Sequence, residues 1–145
     1  MKPLSFAVAP PRGPRVALAS IVYSARVIDK LRAALPGGEL NGFLPFDGFS
    51  LLWAHYTQID LYELFDVIVN AEDEDEIIAW IATRTQSIDT AKINTKMENF
   101  STDRISDEMR AHFDAIYPRE LRERFTNLFD LLEADDQRLY ATQTS

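Results

Sequence analysis

With 145 residues, 46% of them hydrophobic and including nine Phe and two Trp, the chain is long enough to bury one aromatic-rich core without staples. It has no Cys, which excludes a disulfide framework, a thiolate metal site and a cysteine nucleophile. The formal charge of −8 sets the average surface against duplex nucleic acid and anionic lipid, so no nucleic acid and no membrane is expected as partner.

The first 13 residues hold Pro3, Pro10 and Pro11, with Pro14 next, which predicts an extended, Pro-rich arm over 1–13. No signal peptide is expected, since residues 1–9, with one Lys and a few apolar residues, are too short for an apolar segment followed by a cleavage site. No window reaches the roughly 18 apolar residues of a membrane span. A soluble, cytoplasmic protein is the expectation. Pro14 suits a first helical turn, and Pro36-Gly37-Gly38 is a stop signal, so the first helix is predicted over about 14–35. Asp47 reads as the cap of a short aromatic helix carrying Phe49, Leu52, Trp53 and Tyr56. Asp60 and Glu63 have capping-box-like spacing before Leu64, Phe65, Ile68 and Val69. The acidic run Glu72 to Glu76 reads as the start of a helix through Ile77, Trp80 and Ile81, because carboxylates complement the positive end of the helix dipole.

Ser87 is read as the cap of a weaker helix through Met97, and Ser106 as that of a helix with Met109, Phe113 and Ile116. Pro118 opens a last helix through Leu121, Phe125, Leu128 and Leu132, with residues 139–145 as a disordered tail. No stretch alternates as a strand would. The expected fold is all-α: one domain of six to seven helices over 14–138, built around a central first helix.

Within that helix, Arg26-Val-Ile-Asp29-Lys30-Leu-Arg32-Ala33 puts four charges into seven positions. Charge on a core helix is costly unless it is paired or used. At 100° per residue, Leu18, Ile21, Ala25, Ile28 and Leu35 share one face. Val16, Tyr23, Val27 and Ala34 lie nearly opposite, and Arg15, Arg26 and Lys30 form the polar arc. Arg32 projects into the apolar stripe and Asp29 sits at its edge, three residues from both Arg26 and Arg32. A buried pair that fixes helix register is the default reading. The functional reading is a site for a small anionic ligand at Arg26, Asp29, Lys30 and Arg32, with Arg supplying a bidentate fork.

Other features carry less. Arg12 and Arg15 flank Gly13-Pro14 at a helix start, but a solvated arm explains them. The acidic run lacks the ligand order of a calcium loop. His55 reads as a core or boundary residue and His112 as surface; neither has a metal-helix partner or a nucleophile motif. No metal and no cofactor is expected. Trp53, Tyr56 and Trp80 are read first as core.

The stretch Pro11-Arg12-Gly13-Pro14-Arg15 followed by Arg26-Val-Ile-Asp29-Lys30-Leu-Arg32-Ala33 resembles a bacterial family of small proteins classed as a domain of unknown function. Its pattern is P-R-x-P, a Gly-containing turn, then R-x-I-D-K-x-R-A. The resemblance extends from Pro11 to about Arg138. It implies glycine where Ala19 and Ser20 stand, and Trp near Met97. It implies a helical fold and names no activity. The reading therefore leans away from an enzyme, since no recognised catalytic constellation is present, and toward a binding or interaction module that forms a homo-oligomer. An enzyme or sensor of a small anionic metabolite is the alternative.

Overall fold

The computed structural model describes residues 1–141. Among these the chain forms eight α-helices: α1 (Ser24–Ala33), α2 (Ser50–Thr57), α3 (Leu61–Asn70), α4 (Glu74–Arg84), α5 (Thr90–Glu98), α6 (Asp107–Ile116), α7 (Arg119–Arg124) and α8 (Leu128–Tyr140). One 3-10 turn covers Thr102–Arg104, and no strand forms among the described residues. The fold is all-α. Its core joins Ile21, Val27, Ile28 and Leu31 to Trp53, Leu64, Ile68, Ile77, Ile81, Leu128 and Phe129. Each such side chain contributes about 1.5–3 kcal/mol by leaving water.

Helix starts follow local chemistry. Asp60 accepts from the backbone N of Tyr62 (2.8 Å) and Glu63 (3.1 Å). Asp73 caps Glu76 N at 3.0 Å and Ser106 caps Met109 N at 3.3 Å. Two expected caps differ. Asp89, not Ser87, accepts from Lys92 N (3.1 Å) and starts α5. The N-cap of α2 is Phe49, without a side-chain bond, and Asp47 lies outside the helix.

The first helix begins ten residues later than expected. Before it, Leu18 and Ile21 exchange backbone hydrogen bonds (3.2 and 3.0 Å) around Ala19 and Ser20, whose φ are 53° and 64°. Positive φ at both central residues is the pattern of a type I′ turn, which favours glycine. That is the physical reason for the glycines implied at these positions. Asn94 of α5 secures the turn: its Oδ1 accepts from Val22 N (2.9 Å) and its Nδ2 donates to Ser20 O (2.9 Å). Tyr23, at the N-cap of α1, is also left-handed (φ 70°). An aromatic residue in that region is a backbone outlier.

Helix α1 is central as expected: nine of its ten residues are buried, and only Arg32 is half-exposed. It packs on α3. Trp53 Nε1 donates to Ser24 Oγ (2.9 Å), tying α2 to its first turn. The arm runs along its far end: Phe6 is buried, Phe6 N donates to Glu39 O (2.9 Å) and Glu39 N to Leu4 O (3.0 Å).

The expected last helix is two helices. Between α7 and α8, Thr102 N donates to Thr126 O (2.7 Å) and Leu128 N to Phe100 O (3.0 Å), which pulls 125–127 out of helical geometry. Asn127 then caps α8 through Asp130 N (3.0 Å). The predicted tail also starts too early. Leu139 and Tyr140 belong to α8, and the buried Tyr140 hydroxyl donates to Phe6 O (2.7 Å), so the chain stays packed there. Residues 142–145 of that predicted tail lie outside the described residues.

Candidate functional site

Three of the four candidate charges are held by partners. Arg26 is 3% exposed and forms a fork with Asp136 of α8: Nη1 to Oδ2 at 2.7 Å and Nη2 to Oδ1 at 3.0 Å. Nη1 also reaches Arg12 O (3.2 Å), and the guanidinium lies 5.6 Å from the centre of the Phe43 ring. Burial disfavours the Arg26 cation, but Asp136 outweighs that and holds its pKa above the ordinary value.

Asp29 does not bridge Arg26 and Arg32. Its carboxylate accepts the backbone N of Arg12 (2.8 Å), Arg12 Nη2 (2.9 Å) and Arg12 Nε. Arg12 in turn pairs with Glu74 of α4. The arm bends back over α1, so a residue 17 positions away takes the place of a helical neighbour. Arg32 lies outside the apolar core: it is half-exposed and its Nε donates to Lys2 O (3.0 Å). The predicted wheel holds for its apolar faces, where Ile21, Ala25, Val27 and Ile28 are buried, and fails for its charges. Its polar arc, Arg26 and Lys30, is buried, because α8 and the 41–49 loop cover that side.

Lys30 is the exception. It is 5% exposed, and among the described residues its side chain makes no hydrogen bond and no ion pair. Its ammonium lies 5.9 Å from the centre of the Tyr23 ring. Burial, then the nearby Arg26 cation, push it down to about 7, against the weaker pull of Asp136 and Asp47.

Lys30 and Arg26 line a cavity of about 460 Å³. That is within the range of small-molecule sites, roughly 300–1,000 Å³. Its walls are the loop 41–49, α2, residues 100–106, α6 and α8, and most of the lining is apolar. Phe113 packs against Phe49 (6.2 Å between ring centres) and Tyr117 (5.0 Å), forming an aromatic wall. Tyr23 and Tyr117 also line the cavity, and burial raises both phenols above their ordinary values, so they are neutral near pH 7. Asp135 lines it too; burial raises its carboxyl, partly offset by the Arg138 hydrogen bonds. Asp29 and Arg32 face a second, shallower depression with Arg12 and Glu74. The four sequence candidates are thus divided by the helix that carries them.

Of the remaining candidates, Arg15 pairs with Asp130 (2.8 Å) and Glu133 of α8. Trp53 is buried core, while Tyr56 and Trp80 pack partly buried against it. His112 is exposed at the cavity lining and His55 is exposed outright, not boundary core, because α2 turns that side outward. No group of three or more His, Cys, Asp or Glu that could hold a metal ion occurs among the described residues. No described helix is long and apolar enough to cross a membrane.

Sequence reasoning missed Tyr23, Tyr117, Asp135 and Asp136. A signal existed for the aspartates. They follow Leu128, Leu131 and Leu132 at helical spacing, so they continue the core stripe of α8 and demand partners. Among curated proteins, no match to the chain is found. Residues 8–138 match a family model described as Domain of unknown function (DUF5069). That span includes the arm, the central helix, the cavity and α8, and the chain belongs to this family.

Proposed function

We propose that the protein is a small-molecule binding module whose ligand is an amphipathic carboxylate, with its head group at Lys30 and its apolar body along the aromatic wall. One observation carries this reading: a buried lysine whose side chain has no ion pair lines a mostly apolar cavity. A buried charge is normally paired. Here Asp136 is committed to Arg26 and Asp135 to Arg138, and Asp47 of the lining acts on Lys30 only weakly, without an ion pair, so the ammonium has room for an anion from outside. Leu51, Met109, Ile116 and Leu139 support the apolar half. Each is at least 40% exposed, and all four line the same cavity. Exposed apolar groups gathered at one mouth mark a binding site more often than scattered ones do.

The reading narrows the sequence candidate from four residues to Lys30, with Arg26 adding positive field. Asp29 and Arg32 are assigned to the scaffold. The test is a thermal-shift series at pH 6.5 with straight-chain carboxylates from butanoate to decanoate. Octanoate or a neighbour in length raises the melting temperature of the wild type, and Lys30→Met, which keeps the shape and removes the charge, abolishes the rise. A flat response across the series, or an equal rise in Lys30→Met, rejects the reading.

A further inference from the structure

We propose that Lys30 is an amine nucleophile, and that the cavity takes carbonyl compounds which it captures as a reversible imine. This rests on the cavity being a small-molecule site, and it adds a covalent step to that site. Three features point to it. The Lys30 side chain has no hydrogen bond or ion pair among the described residues, so its nitrogen lone pair is not tied to a protein donor once the proton is lost. It lies beside a second cation, Arg26, which is held in place by Asp136. Desolvation next to another cation is what converts a lysine from a solvated charge into a nucleophile. Most of the cavity lining is aromatic and aliphatic, which offers contact to the carbon chain of a carbonyl compound bound at Lys30.

The step balances without an oxidant or reductant. The neutral Nζ attacks the carbonyl carbon, and the C=O π pair moves to oxygen. One nitrogen proton passes to that oxygen, giving a carbinolamine. Protonation of the hydroxyl expels water as the nitrogen lone pair forms C=N, giving the protonated imine, which returns that proton by losing its N–H; hydrolysis reverses the sequence. Around Lys30 and in the cavity lining, the titratable and charged groups are Tyr23 and Arg26 from its own segment, Asp135, Asp136 and Arg138 from α8, His112 of α6 and Tyr117 after it, Arg104, and Asp47 from the loop. Asp135 and Asp136 are each bound to an arginine, Arg138 and Arg26, so the protons are exchanged with water at the cavity mouth.

Carboxylate binding and imine capture have opposite pH dependences. The carboxylate needs the ammonium, so its affinity falls as pH rises through about 7, whereas the carbonyl needs the free amine, so its capture rate rises. The chain supplies its own controls: Lys2, Lys92 and Lys96 are the other lysines, and all three are exposed.

The experiment incubates the full chain with limiting hexanal and cyanoborohydride, then maps adducts by peptide mass. Each trapped amine gains the mass of hexanal less one oxygen. The amino terminus is read in its own peptide. At pH 7 an exposed lysine is less than about a thousandth free amine, so Lys30 is expected to carry at least about tenfold more adduct than Lys2, Lys92 or Lys96. The exposed lysines overtake it toward pH 10. Adducts on the exposed lysines with none on Lys30 overturn the imine. The octanoate shift then separates the two claims: if it persists, the cavity binds without covalent chemistry, and if it is also absent, both claims fall.

Discussion

The two sides of α1 carry the same kind of residue and treat it in opposite ways. On one side Asp29 is enclosed by the arm, with Arg12 wrapped around its carboxylate and Glu74 behind it. Each charge there has a partner, and the depression above is shallow. On the other side Arg26 is locked to Asp136, while Lys30, one turn further along, has no such partner and a large cavity beside it. The contrast teaches that density of charge does not mark a site. Pairing separates the scaffold from the residue that still needs a partner.

The largest expected effect breaks the paired half of the cavity side. Asp136→Asn leaves a buried guanidinium without its counter-charge, and removing one member of a buried pair typically costs about 3–5 kcal/mol. Urea unfolding at pH 7 checks it. A loss below about 1 kcal/mol would mean that the Arg26–Asp136 fork is no more than a surface-type pair.

Lys30→Met goes the other way. The folded pKa of Lys30 lies below its unfolded value, so the folded state binds fewer protons between about 7 and the ordinary lysine range. In that window stability rises with pH, by up to about 1.4 kcal/mol per pH unit for one group. The wild type therefore gains stability from pH 7 to about 9.5 relative to Lys30→Met, and the variant is the more stable of the two at pH 7. The comparison stops below the ordinary tyrosine range because Tyr23 and Tyr117 have raised values and act with the opposite sign above it. Parallel pH curves for the two proteins would show that Lys30 is not desolvated.

On the scaffold side, Asp29→Asn is expected to cost about 1–3 kcal/mol. The loss is smaller than at Asp136 because Arg12 is 36% exposed and can turn to water or to Glu74. Melting the variant beside Asp136→Asn ranks the two sides directly. An equal loss would mean that the arm is as closed as the core.

Much of the fold was legible because it rests on local rules. The caps at Asp60 and Ser106, the acidic start of α4 and the apolar stripes all follow from residues within one or two turns of each other. What was illegible depended on chain reversal. Asp29 selects Arg12 only because the arm folds back, and a helical wheel contains no arm. The same wheel made Arg26 and Lys30 polar surface, since it could not show that α8 and the 41–49 loop would cover them. The break between α7 and α8 depends on pairing with residues 100–102, which no local pattern in 118–132 announces. Half of the site could be read, as a charged cluster on a buried helix. The other half, which member lacks a partner, needed the fold.

The smallest expected effect concerns the turn that presents this helix. Ala19 sits at φ 53° in the Leu18–Ile21 turn, where a Cβ is unfavourable by roughly 1–2 kcal/mol. Glycine removes that strain but adds about 0.5–1 kcal/mol of unfolded-chain entropy. Ala19→Gly is thus expected to stabilise by about 0.5 kcal/mol, read as a small rise in melting temperature. Tyr23, four residues on, is left-handed too, but its ring stacks on Phe129 (5.9 Å) and lies next to Lys30. Its side chain is needed where its backbone is strained, so Tyr23→Gly should destabilise although it relieves the same kind of φ. Opposite signs for these two glycine substitutions would place the strain at Tyr23 in the service of the cavity wall and that at Ala19 in the turn alone.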